Sequence, residues 1–220
     1  MIEKNINHIN RADCTGCGLC EYKCPQNAIE MVQDKTGFIY PNVNHALCVN
    51  CGICFNCCPT HSKYSVSPFS CYSFSLNNVI DLQQSSSGGA ASSIVEYFIN
   101  IDGVAYGVEY SDDFSSIRFN RYTKNDNTRK CKGSKYSETM PPDYQMIYND
   151  IESGRPCVFI GLPCQVAAVR KLVNKNKKNN IVLVALACLG KSSHKLYELF
   201  IQELKERYNS NIVSINMRWK

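Results

Sequence analysis

Apolar and polar positions along the 220 residues change their rhythm several times, and each rhythm predicts a different element. Near the amino end, Pro25 at a helix N1 position predicts a short turn through Met31, and Gly37 to Pro41 predicts an extended segment. Ser85 to Ser93 is a small-residue turn that feeds Ile94, Val95, Tyr97, Phe98 and Ile99, the apolar positions of a helix. Gly103 to Tyr110 and Ile117 to Tyr122 flank the turn-rich Ser111-Asp112-Asp113-Phe114, which predicts an antiparallel hairpin. Asp143 to Ser153 has helical character, with Gly154 as the C′ residue that ends it. Thereafter the pattern alternates: strand Cys157 to Ile160, helix Gln165 to Val173, strand Ile181 to Ala187, helix Ser193 to Tyr208, strand Ile212 to Asn216. Such alternation predicts a parallel sheet with helices packed on it and ligands bound beyond the carboxyl ends of its strands. Two segments stand at those ends, 161–165 and 188–192.

Composition changes the picture mainly through cysteine. Of 14 cysteines, nine fall within residues 14–58, and eight of these form two copies of C-x2-C-x2-C-x3-C-P, whose starts lie 34 residues apart. Paired C-x2-C spacing also occurs in zinc sites, but zinc leaves the third cysteine of each run and both prolines unexplained. A disulfide framework needs an oxidising compartment, and Met1 to Asn7 has no signal-peptide core. Three cysteines at three-residue steps suit a loop wrapped round a cubic cluster, with the C-P cysteine supplied to the other run's cluster. Cys14, Cys17, Cys20 and Cys58 are thus the predicted ligands of one [4Fe-4S] cluster, and Cys48, Cys51, Cys54 and Cys24 those of the second. Cys57, beside Cys58, is an alternative ligand; the match to the first run and Pro59 favour Cys58.

Charge excludes little by itself. The formal net charge is +5, with four Lys/Arg against five Asp/Glu in the first 60 residues, so the basicity lies elsewhere. Two clusters of roughly −2 each would bring the total to about +1. No concentrated basic face with interleaved aromatics supports nucleic-acid binding, and Lys171 to Lys178 reads as a solvated loop. The longest apolar run, Ile181 to Leu189, suits a buried strand and is too short to span a membrane. A cytoplasmic protein is expected.

Outside the runs, Cys164 is placed near a helix N-terminus and Cys188 after the next strand, so the two sulfurs face one site if those strands are neighbours. Cys71, Cys131 and Cys157 read as structural, and His8, His45, His61 and His194 as surface residues. No triad or carboxylate pair supports hydrolysis. The residues 85–93 could offer helix N–H groups to a phosphate or simply cap a core helix.

Ser86-Ser87-Gly88-Gly89-Ala90, Lys132-Gly133-Ser134-Lys135-Tyr136 and Phe159-Ile160-Gly161-Leu162-Pro163-Cys164-Gln165-Val166-Ala167 resemble the coenzyme F420 hydrogenase/dehydrogenase beta-subunit family. Many of its bacterial members begin with a two-cluster ferredoxin domain. The resemblance implies an α+β ferredoxin-like domain over residues 1–66 and an α/β domain over 67–220 with a partly parallel sheet and a hairpin, joined by a linker from His61 to Pro68. It implies an oxidoreductase passing electrons between two [4Fe-4S] clusters and a flavin such as FAD, or the deazaflavin F420. Ser87, Gly88, Gly89, Lys132, Gly133, Ser134 and Lys135 would then belong to the cofactor or substrate site. A redox partner protein or subunit is implied, and no side chain is singled out as catalytic. The chain departs from the family in carrying Cys188-Leu189-Gly190 where members often have Cys-His-Gly, and in a second domain that is short of the family's usual extent. The alternative is a ferredoxin-type electron-transfer module that binds no flavin and docks on a partner subunit.

Overall fold

The computed structural model describes residues 5–61, 70–173 and 180–218. The proposed linker falls mostly outside these residues, as do most of Lys171 to Lys178.

The cysteine runs fold as two similar halves. Gly18 and Gly52, with φ of +75° and +76°, turn the chain into short helices α1 (Leu19–Tyr22) and α2 (Ile53–Cys57). Only glycine takes this left-handed entry at no steric cost. Strands β1 (Ile29–Gln33) and β2 (Ile39–Val43) pair antiparallel, from Ile29 opposite Val43 to Gln33 opposite Ile39. Here the expected turn through Met31 is corrected: Asn27 adopts φ +48° and closes the turn early, and the alternating burial of Ile29, Glu30 and Met31 belongs to a strand. Asp34 tightens the β1–β2 turn by accepting from Thr36 Oγ1 at 2.7 Å and from the Phe38 N–H at 3.0 Å. These bonds, led by Thr36, hold its carboxyl down at about 2. The core of this part is small and consists largely of Ile6, Ile29, Met31, Ile39 and Val43 around buried Cys20, Cys54 and Cys58. So few apolar groups leave much of the folding free energy to whatever the thiols bind.

After α3 (Val79–Gln83), the second part is a four-stranded sheet in the order β4-β3-β5-β6. β3 (Val104–Tyr110) and β4 (Ile117–Tyr122) form the expected hairpin, while β5 (Cys157–Gly161) and β6 (Ile181–Ala185) run parallel to β3. On one face α4 (Ala90–Asn100) packs Val95, Phe98 and Ile99 against Ala105, Tyr122, Val158 and Ile160. On the other, α5 (Tyr144–Glu152) and α6 (Pro163–Leu172) pack Ile147, Ile151, Val166 and Val169 against Val104, Tyr106 and Phe159. Asp143 caps α5 by accepting from the Met146 N–H at 2.9 Å. Gly154, at φ +79°, follows its end as expected.

Two strand expectations need correction. β6 ends at Ala185 and lies at the sheet edge, so Val182 and Leu186 are exposed and the run to Leu189 is not a buried strand. Residues 212–216 form no strand: Ile212, Ile215 and Met217 pack at mixed spacing beside α7 (His194–Tyr208), which buries Tyr197 and Ile201 against Ile117 of β4.

The two parts share a core. Leu19, fully buried, belongs to the same apolar cluster as Tyr144, Ile147 and Phe159, with Cys17, Tyr22 and Cys57 packed on it. Among the described residues, no helix is long and apolar enough to cross a membrane.

Candidate metal centres

Two cavities lie within the cysteine-rich part. The first is lined by Cys48, Cys51 and Cys54 of the second run and by Cys24 of the first, together with Asn5, Pro25 and Ile29. The second is lined by Cys14, Cys17 and Cys20 of the first run and by Cys58 of the second, with Ile6, Ile9, Met31 and Pro41. Each cavity therefore meets three thiols of one run and the C-P thiol of the other. Among the described residues no three His, Cys, Asp or Glu side chains converge on a single metal ion. A cube takes one thiolate at each of four corners and spreads its ligands wider. The donor set of each cavity fits a [4Fe-4S] cluster.

Cys57 and Cys58 part company at the end of α2. Cys58 is extended (φ −60°, ψ 123°) and turns into its cavity, where Sγ stands 3.1 Å from Thr60 Oγ1. Cys57 points the other way, donating to the Cys54 carbonyl at 3.3 Å and packing on the shared core. Burial pushes its thiol up to about 12.

Peptide N–H groups face the sulfurs. The Ala28 N–H donates to Cys24 Sγ at 3.3 Å, and the N–H groups of Gly16 and Leu19 favour thiolate at Cys14 and Cys17. Burial dominates nevertheless: it raises Cys14, Cys20 and Cys54 and takes Cys17 to about 11. Burial thus favours the neutral thiols, and taking up iron releases their protons.

The cavities differ in surroundings. At the first, hereafter the outer cavity, Cys51 is exposed and Leu47, Val49 and Ile53 stand in solvent. The second, the inner cavity, is backed by the second part of the chain. Tyr144 Oη donates to the Cys17 carbonyl at 2.6 Å, and Pro141 fills the space above Gly18, where an added Cβ would stand 2.4 Å from Cγ. Glu138 Oε2 accepts from the Ile39 N–H at 3.0 Å, and Lys191 Nζ donates to the Thr15 carbonyl at 3.0 Å. Tyr144, Glu138 and Lys191 carry no sequence signal of these contacts because their partners lie more than 90 residues away; only Lys191 falls in a segment, 188–192, that the strand pattern marks.

The residues assigned to a flavin or substrate by resemblance do come together. Ser134 Oγ donates to Ser86 Oγ at 2.8 Å, joining the loop that contains exposed Ser87 to the 132–135 segment. Their lysine ammonium groups, however, are engaged. Lys132 Nζ lies 2.7 Å from Asp81 and 3.8 Å from Glu96. Lys135 Nζ donates to the Lys132 carbonyl at 2.8 Å and the Gly133 carbonyl at 3.2 Å, and burial lowers it to about 8. A Cβ on Gly88 would meet the Phe74 carbonyl at 2.0 Å, and one on Gly89 the Leu76 side chain at 2.2 Å. Gly133, by contrast, faces open space. As arranged, the two lysines are paired within the chain rather than open to a flavin phosphate.

Cys164 lies in the first turn of α6, half-buried and close enough to Cys17 to raise it, after burial and other thiols. Cys188 is exposed, with Sγ directed to the Gly190 carbonyl at 3.7 Å. The Gly161-Leu162-Pro163-Cys164-Gln165 stretch starts a helix: Pro163 opens it, and Gln165 Oε1 accepts from the Leu162 N–H at 2.8 Å. Cys157 is buried and Cys131 partly so, whereas Cys71 is exposed and has no structural role in a core. His194 is also corrected: it is half-buried and paired with Glu198 at 3.0 Å.

Comparison with protein families matches residues 13–62 to the 4Fe-4S dicluster domain, and residues 154–220 to the carboxyl terminus of the coenzyme F420 hydrogenase/dehydrogenase beta subunit. The first match contains all eight cysteines of the two cavities, and the second contains β5, α6, β6 and α7. No curated protein matches the chain.

Proposed function

We propose that this chain is an iron–sulfur electron-transfer unit of an oxidoreductase, with Cys14, Cys17, Cys20 and Cys58 holding an inner [4Fe-4S] cluster and Cys24, Cys48, Cys51 and Cys54 an outer one. The observation that carries the reading is the crossed composition of the two cavities. When bound, each cluster supplies a site for one electron at a potential set by hydrogen bonds, charge and exposure.

The protein's own residues do the rest. The thiols lose their protons to become ligands, and the N–H groups of Gly16, Leu19 and Ala28 orient toward the sulfurs. Ile6, Ile9, Met31 and Pro41 exclude water from the inner cavity. Leu47, Val49 and Ile53 leave the outer cavity approachable by a redox partner protein. Tyr144 and Pro141 hold the inner loop against the second part of the chain, which gives electrons a packed route inward.

The other end of the transfer is a two-electron carrier of flavin or deazaflavin type, such as FAD or F420, consistent with the family match over residues 154–220. Because Lys132 and Lys135 are engaged within the chain and Gly88 and Gly89 are crowded by Phe74 and Leu76, this carrier is assigned to a partner subunit docked on the second part rather than to those loops. Anaerobic purification with iron, acid-labile sulfide and flavin counted on one sample tests both statements. About eight irons and no flavin per chain is expected. About four irons or fewer after reconstitution overturns the two-cluster reading, and one tightly bound flavin per chain overturns the assignment of the carrier to a partner.

A further inference from the structure

Two charged side chains meet behind the inner cavity. Glu138 is 1% exposed, and its carboxylate joins three things: the Ile39 N–H at 3.0 Å, Lys191 Nζ at 2.6 Å and, by close approach, Gly16. An added Cβ on Gly16 would stand 2.9 Å from Glu138 Oε1, so the loop is pressed onto the pair. Lys191 completes the clamp by donating to the carbonyl of Thr15, a residue that lines the inner cavity between Cys14 and Cys17. The pair is held from behind as well, since the Glu138 N–H donates to the Ser192 carbonyl at 2.8 Å.

Among the described residues neither cavity is lined by Lys, Arg, Asp or Glu, and the ion pair stands behind the inner one; Val49, which corresponds to Thr15 in the repeat, is 63% exposed. Taking two charges out of water is expensive, and a buried ion pair is a poor device for stability alone. Placed against one of two otherwise equivalent loops, it makes the loops electrically unequal.

We propose that Lys191 is a positioning residue that raises the reduction potential of the inner cluster and not of the outer one, by fixing the Thr15 peptide and placing a cation at the back of the ligand loop. Adding an electron makes a cluster more negative, so a nearby cation favours the reduced form. One electron leaves the outer cluster, which is oxidised, and enters the inner cluster, which is reduced; no bond is made or broken. The sidedness of the chain then gives transfer a direction, from the solvent-facing cavity toward the second part. This inference rests on the cluster assignment proposed above.

The test is a redox titration of the anaerobic full-length chain followed by electron paramagnetic resonance, after iron and sulfide have been counted. Lys191→Met should make reduction of one cluster at least tenfold less favourable, about 59 mV for one electron, and leave the other unmoved. Glu138→Gln should shift that same cluster upward, and Lys191→Arg should restore the original value. If Lys191→Met does not retain its iron, the upward shift in Glu138→Gln carries the test by itself. Full iron with unmoved potentials, equal shifts in both clusters, or shifts of one sign in Lys191→Met and Glu138→Gln overturn the inference and leave the clusters standing. A wild-type chain without about eight irons overturns the cluster reading, and this inference with it.

Discussion

The outer and inner cavities are built from the same seven-residue loop, the same left-handed glycine and the same short helix, yet they occupy different environments. Leu19 and Ile53 hold equivalent positions after Gly18 and Gly52; Leu19 is fully buried in the core shared with the sheet, and Ile53 is 42% exposed. The repeat determines local geometry, while contacts made more than 90 residues away determine burial, charge and access. Equivalent motifs are therefore not equivalent sites.

That contrast can be broken or sharpened by experiment. The largest difference should appear on limited exposure of the holoprotein to a chelator or oxidant. The outer site, with exposed Cys51, should lose its iron first, leaving about half; the iron count over time checks this, and simultaneous loss from both sites would erase the distinction. Next, Leu19→Ala should destabilise the holoprotein by about 2–5 kcal/mol, as large-to-small changes in a full core do. Ile53→Ala should lie within about 1 kcal/mol because the side chain it truncates is already in contact with water. Urea titration of both variants measures the gap.

Gly18→Ala and Gly52→Ala share a left-handed strain of roughly 1–2 kcal/mol. Gly18→Ala should cost more than that strain alone, because its methyl group also strikes Pro141. Thermal unfolding of this variant against the unaltered chain measures the excess. Smallest of all, Tyr144→Phe should cost about 1 kcal/mol by removing the hydrogen bond to the Cys17 carbonyl, measured in the same urea titration.

Much of this architecture was legible in the chain because its signals are local. The cysteine spacing marked the eight thiols that line the cavities, the alternation on both sides of Ser111 to Phe114 marked the β3–β4 hairpin, and Asp143 and Gly154 bracketed α5. The failures share a different cause. Ile29 and Met31 follow a proline that suggested a helix, but the left-handed Asn27 ended the turn before a helix could form. Ile181 to Leu189 is apolar enough for a central strand, yet its place at the sheet edge comes from strand order, which no single segment contains. Resemblance assigns Lys132 and Lys135 to a cofactor or substrate site; their actual partners, Asp81, Glu96 and nearby carbonyls, follow from how distant loops pack. Glu138 carried no local sign of its role, since Ile39, Gly16 and Lys191 reach it only in the folded chain.

The central claim is that the two runs are crossed, each cavity closed by a thiol from the other. Iron content and Mössbauer spectra of Cys57→Ser and Cys58→Ser, adjacent residues that face opposite ways, test it most directly. The account predicts about eight irons in Cys57→Ser and a deficit confined to one cluster in Cys58→Ser, with the other cluster's spectrum intact. An iron deficit in Cys57→Ser with a fully loaded Cys58→Ser would contradict it.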